Sequence, residues 1–247
     1  MRNLFVEESP LALLKATQVF YKNVDLLHPG AEGDEQIRKV TEKLVDLDLL
    51  TPAAELLEHQ VFHRLRGQEK AEVAIDLGEI YLADKDPNNA LRVIQSTRIT
   101  GLEPAVINRR REIEATSLWK TGRHDRALAR LEVSGDQELP ISAIYLKAMI
   151  EADMGDFKAA SHTFYPFISK MLIDKEILEW QDEVILLQSI SVFSQSGEGD
   201  KIDNIVSLLE AHHQESAVAK IAASLSDSGD FDAFYDSYRQ WTEGLEI

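Results

Sequence analysis

Apolar residues in this chain recur three and four positions apart, the spacing of one face of an α-helix. Over 71–84, Val73, Leu77, Ile80 and Tyr81 share such a face. Asp86-Pro87 then marks a turn, with proline suited to a first helical position, and Ala90, Leu91 and Ile94 resume the pattern over 88–98. The design returns at 105–121 with Ile107, Ala115 and Leu118. It turns at Thr121-Gly122-Arg123-His124-Asp125 and continues with Ala127, Leu128 and Leu131. A third copy runs over 141–154, turns at Met154-Gly155-Asp156-Phe157 and continues with Ala160 and Phe164. Glycine just past a helix end takes the left-handed conformation cheaply.

The copies share a register. Gly78, Ala115 and Ala148 on the first helices are each followed twelve positions later by a small residue, Ala90, Ala127 and Ala160. Small side chains at both places let two antiparallel helices approach closely. A bulky Ile94, Leu131 or Phe164 four positions further on is placed to fill the core between copies. Successive copies are offset by 37 and 33 residues. A further pair is expected at 34–48 and 52–66, with Thr51 as N-cap and Pro52 at the first position. Ser9-Pro10 predicts an N-terminal helix over about 10–27, placed to cap an open end, and HPGAEG at 28–33 reads as a linker. Towards the C-terminus, Gly197 and Gly229 occupy turn positions. Gly229-Asp230-Phe231 echoes Gly155-Asp156-Phe157, and Ala222 precedes Phe234 by the same twelve. Two positions depart from the pattern: Glu151 stands where an apolar residue is usual, and Pro166 is expected to interrupt a helix. No stretch alternates with period two long enough to argue a sheet.

The Leu77-Gly78-x-x-Tyr81…Ala90 stretch, with the offsets near 34 residues, resembles the tetratricopeptide repeat family. The resemblance is clearest over 71–167. It implies an all-α fold: a right-handed α-solenoid of antiparallel helix pairs, about five pairs after the N-terminal helix. The expected division is 1–33 for that helix and linker and 34–247 for the repeats. Solenoids of this kind present a concave face lined mainly by the first helix of each pair, a groove suited to an extended peptide or a partner helix. In this register the groove-facing positions are Glu72, Ile75, Glu79 and Leu82 on one first helix. Arg109, Glu112, Thr116 and Trp119 follow on the next, and Ser142, Tyr145, Met149 and Ala152 on the third. Trp119 and Tyr145 are aromatics of the kind enriched at binding hot spots, Met149 is adaptable, and Arg109 could anchor a carboxylate. Family members that bind chaperone C-termini clamp a carboxylate with Lys and Asn. Here that spacing falls on Ile75, Asp76, Glu79, Ser142 and Leu146, so chaperone-tail binding is not expected.

Charge narrows the partners. The formal net charge is −17, and a strongly acidic surface repels phosphate backbones, so nucleic acid is disfavoured. The charge is uneven: residues 107–130 hold seven Arg/Lys and three Asp/Glu, whereas 174–247 hold sixteen Asp/Glu and four Lys/Arg. A basic centre and an acidic end suit either an acidic partner or self-association, so an assembly or regulatory segment of a larger protein is the alternative to a free scaffold. No apolar run approaches the roughly 18 residues that span a bilayer. The opening Met1 to Glu8 has one basic residue and then acids, unlike a signal peptide. With no cysteine, disulfides, thiolate metal sites and cysteine nucleophiles are excluded. A cytoplasmic location is the default, and a periplasm suits a cysteine-free segment of an exported protein equally.

Candidate chemistry is sparse. His59 and His63, four apart with Glu55 on the same face, could meet one metal, but no HExxH motif is present. They read as a solvated amphipathic helix. His212-His213 reads as a favourable pairing with a helix C-terminus. Asp84-x-Asp86 with Asn88-Asn89 lacks the glycine and distal Glu of a calcium loop. No phosphate-binding, dinucleotide-binding or nucleophile-elbow motif occurs, so neither cofactor nor catalytic residue is expected. Arg109-Arg110-Arg111 is expected to open a helix, where three cations oppose the macrodipole, a modest pointer to function.

Overall fold

A computed structural model describes Lys22, residues 30–132 and 139–213, Ser216 and Val218. Among the described residues the chain is all-α, with ten α-helices and no strand. The helices are α1 (Ala31–Asp46), α2 (Leu50–His59), α3 (Gly67–Ala83), α4 (Pro87–Ser96), α5 (Pro104–Lys120), α6 (His124–Leu131), α7 (Ile141–Asp153), α8 (Phe157–Asp174), α9 (Trp180–Ser196) and α10 (Gly199–His212). They fall into two compact units, Met1–Arg130 and Leu131–Ile247. The helix read over 10–27 lies outside the described residues but for Lys22, as do the turn at Gly229 and the Ala222–Phe234 pair.

One joint recurs five times among the described residues. Asp48, Lys85, Gly122, Gly155 and Gly197 each follow a helix with φ between 57° and 82°. At each, the backbone N–H of that residue donates to the carbonyl three back, and the next N–H donates to the carbonyl five back, at 2.8 to 3.1 Å. This double bond satisfies carbonyls that a helix end leaves orphaned. Three joints use glycine, which takes this conformation without a Cβ penalty. Asp48 and Lys85 bear it with a side chain. The following residue stands immediately before the next helix, and at Asp86 and Asp156 its carboxylate accepts from the backbone N–H three residues on, at 3.1 and 3.0 Å.

In the first unit α1 packs on α2, α2 on α3, α3 on α4 and α4 on α5, and α3 also meets α5. The core joins Ile37, Leu44, Leu56, Leu77, Ile94 and Ile113. At Gly78 a Cβ would sit 3.1 Å from Ile113 Cγ2 and 3.5 Å from Ile94 Cδ1, so the bare backbone is what lets α3 approach them. In the second unit α7 packs on α8, α8 on α9 and α9 on α10, and α8 also meets α10. Phe164, Ile168, Leu186, Phe193 and Leu209 fill that core. Gly78, Ala90, Ala115, Ala127, Ala148 and Ala160 of the twelve-residue register are buried, as are Ile94, Leu131 and Phe164.

Several local expectations are corrected. Ala31–Gly33, read as linker, already belong to α1. Thr51 does not cap α2: the helix starts at Leu50 after Leu49, and the Thr51 hydroxyl instead donates to Asp84 at 3.1 Å. The helix read over 52–66 is regular only to His59 and then widens into a π turn, Gln60–Arg64. That turn carries Arg64 to Asp34, a buried ion pair at 2.7 Å. Ile107, read as a core position, is 42% exposed, whereas Ile113 on the same helix is buried. Pro166 does not interrupt α8, which runs through it. An interior proline costs about 3 kcal/mol, but burying Phe164, Ile168 and Leu172 on the same helix returns about 1.5–3 kcal/mol each.

Candidate partner-binding surface

The buried charges show how the first helices are held. Arg110 is 6% exposed. From α5 it donates to the carbonyls of Ala71 and Ile94, both at 2.7 Å, and to the Thr97 hydroxyl at 2.9 Å. It thereby ties α5 to α3 and to the end of α4. Burial pushes its basicity down, helped by Arg98 and opposed by Glu114. The Arg triplet lies in the second turn of α5, not at its opening, and its middle member serves packing. Glu151, unexpected at an apolar place, is buried and accepts from Thr163 at 2.7 Å. Lys147 lies 3.6 Å from it, so its charge is compensated.

In the first unit, the groove positions read from the sequence divide between surface and core. Arg109 reaches the Glu79 carboxylate at 2.6 Å across α3 and α5. Glu72 accepts from Gln68 at 2.8 Å. Ile75 is buried in the unit's core, and Leu82 packs half-buried against it. Glu112, Thr116 and Trp119 are half-buried along α5, and the Lys120 ammonium lies 4.2 Å from the Trp119 ring centroid. In the second unit, Ser142 is exposed. Tyr145 donates to Gln188 of α9 at 2.6 Å and packs 6.1 Å from Phe164. Met149 and Ala152 pack half-buried on that core.

Sequence reasoning did not find two clefts. The first unit has one of about 440 Å³ between α1, α2 and α3, floored by Val45, Leu50, Leu57 and Ile80. Its rim carries Glu42, Asp46, Asp76 and Glu79 with Arg38. Glu79 is held by Arg109, and Arg38 lies 3.3 Å from Glu35. Partial desolvation raises the Asp76 carboxyl from its ordinary value. Glu79 and Glu42 add to this, and Arg38 and Arg109 oppose it. Val45, an apolar residue left exposed near the end of α1, lines this cleft. The second unit has a larger cleft, about 1010 Å³, with Ile144, His162 and Phe167 in its walls. Of its acids, Glu151 and Asp182 meet Lys147 and Lys175, and Asp174 does not.

The histidines do not converge on a site. His59 and His63 rings lie 5.1 Å apart. Among the described residues, no three His, Asp or Glu side chains are placed to hold a metal. His213 is buried, its Nε2 2.9 Å from the Leu172 carbonyl, so it serves the core as well as a helix end. Among the described residues no helix is long and apolar enough to cross a membrane. No family model, no curated protein and no solved structure matches the chain.

Proposed function

We propose that the chain is a non-catalytic interaction scaffold. Its tetratricopeptide-like helix pairs stack within each unit in the manner of a right-handed α-solenoid, and a peptide or partner helix binds along the outward faces of first helices. The observation that carries this reading is the joint repeated five times with the same pair of backbone bonds. Repetition of one supersecondary unit is the basis of extended binding surfaces in repeat proteins. The half-exposed row of Thr116, Glu112 and Trp119 on α5 supplies contact area of hot-spot type. The test is capture of a partner from native extract on parent and Trp119→Ala protein. The reading expects a protein retained by the parent and depleted several-fold with the variant. Equal retention by both would remove this face from the binding surface.

The second reading is assembly. It is favoured by the basic stretch at 107–130 and the acidic excess at 174–247. It expects a salt-sensitive oligomer by size exclusion with light scattering, where the first reading expects a monomer.

A further inference from the structure

The two clefts differ in what their charges lack. In the second unit's cleft, two of the three acids, Glu151 and Asp182, each have a lysine within 3.6 Å, and Asp174 has none among the described residues. In the first unit's cleft both neighbouring arginines are already engaged, Arg109 by Glu79 and Arg38 by Glu35. Glu42, Asp46 and Asp76 have no salt bridge or hydrogen bond among the described residues. The floor beneath them is apolar, and Val45 is 38% exposed there. An apolar floor under unpaired carboxylates matches a side chain with an aliphatic stem and a cationic tip.

We propose that the cleft between α1, α2 and α3 receives a lysine or arginine side chain from a basic, apolar segment of a partner protein. The stem would lie on Val45, Leu50 and Ile80, and the cation would meet Asp76 and Glu42. This rests on the interaction-scaffold reading and gives the partner its chemistry. Charge argues for the occupant twice. Locally, a cation relieves the repulsion among carboxylates that share one rim. Globally, a chain of net charge −17 attracts basic segments and speeds their encounter. The volume of about 440 Å³ suits one or two side chains and not a whole helix, so the rest of the segment runs along the surface.

The test uses fluorescently labelled ten-residue peptides, one alternating Leu with Lys and one alternating Leu with Glu, titrated with the full chain at physiological salt. The parent should bind the Leu/Lys peptide and not the Leu/Glu peptide. Glu42→Gln/Asp76→Asn should weaken that binding about tenfold, the scale expected for losing two charge contacts. Asp125→Asn/Glu210→Gln removes the same charge from exposed sites outside the cleft and should leave binding within about twofold. Equal weakening by both double variants would mean bulk charge attraction and overturn the proposal. Binding of the Leu/Glu peptide, lost with Trp119→Ala, would overturn it while leaving the scaffold reading in place. The chain has no cysteine, so Val45→Cys can carry a single photo-crosslinker at the cleft. A crosslink to residues 1–29, with neither peptide bound, would assign the cleft to the chain's own N-terminal segment and overturn the proposal.

Discussion

The two units solve the same packing problem with opposite chemistry. In the first, α3, α4 and α5 are drawn together by a bare backbone at Gly78 and a buried cation, Arg110, on two carbonyls and a hydroxyl. In the second, the equivalent work falls to aromatic side chains. Phe164 and Phe193 are fully buried, Tyr145 lies against Phe164, and Tyr165 meets Phe193 edge-on at 6.0 Å. A polar cluster supports them, in which Ser161 and Lys201 both bond Glu198. The joint at Asp48, Lys85 and Gly122 in the first unit is the same as that at Gly155 and Gly197 in the second. Local backbone geometry therefore repeats, while the stitches between pairs are particular to each place.

The largest expected effects set the stitches against each other. Phe193→Ala removes a fully buried aromatic and should cost about 3–5 kcal/mol. Arg110→Ala removes three buried hydrogen bonds, to two carbonyls and the Thr97 hydroxyl, and should cost about 2–3 kcal/mol, because only part of that loss is offset by relieving a buried charge. Urea unfolding measures both. Hydrogen exchange should place the first loss in α8–α10 and the second in α3–α5. If either variant loosened both sets of helices equally, the contrast between units would not stand.

A smaller pair of changes tests whether the joints are equivalent. Lys85 holds φ 59° and Gly155 φ 82° at the same turn position. Lys85→Gly should stabilise by up to about 1 kcal/mol, and Gly155→Ala should destabilise by about 1 kcal/mol. Thermal melting reads both signs. The same sign for both would mean that the joints are not interchangeable.

The smallest effect at neutral pH sharpens the second unit's polar cluster. Hydrogen bonds from Ser161 and then Lys201 hold the Glu198 carboxyl down to about 2, from an ordinary 4.5, with Ser196 adding to them. A depressed carboxyl contributes stability above its unfolded value and loses it on acidification. The contribution should be intact above about pH 4.5 and fade towards pH 2. Glu198→Gln should therefore flatten the acid limb of a pH-dependent unfolding series in that window. An unchanged limb would remove Glu198 from the cluster's energetics.

By itself the sequence determined the helices, most of their turns and the small residues at the contacts. Glycine at a helix end, Asp-x-x before a new helix and apolar spacing of three and four act over one or two turns of chain, so they are legible without a structure. Gly78, Ala115 and Ala148 were legible for the same reason, since their twelve-residue partners lie just across one turn. The tertiary structure decided what charge and polarity do. Arg110 reads as one of three surface cations, yet its partners stand 39, 16 and 13 residues away. Thr51 reads as a cap, yet its bond is to Asp84, 33 residues on. Arg109 and Glu79 read as two separate groove positions, yet they neutralise each other across 30 residues. The cleft rimmed by Glu42 and Asp76 joins helices that sequence spacing does not relate. A long charged side chain chooses among several partners of similar energy, and only the packed fold, by excluding water and fixing distances, selects one.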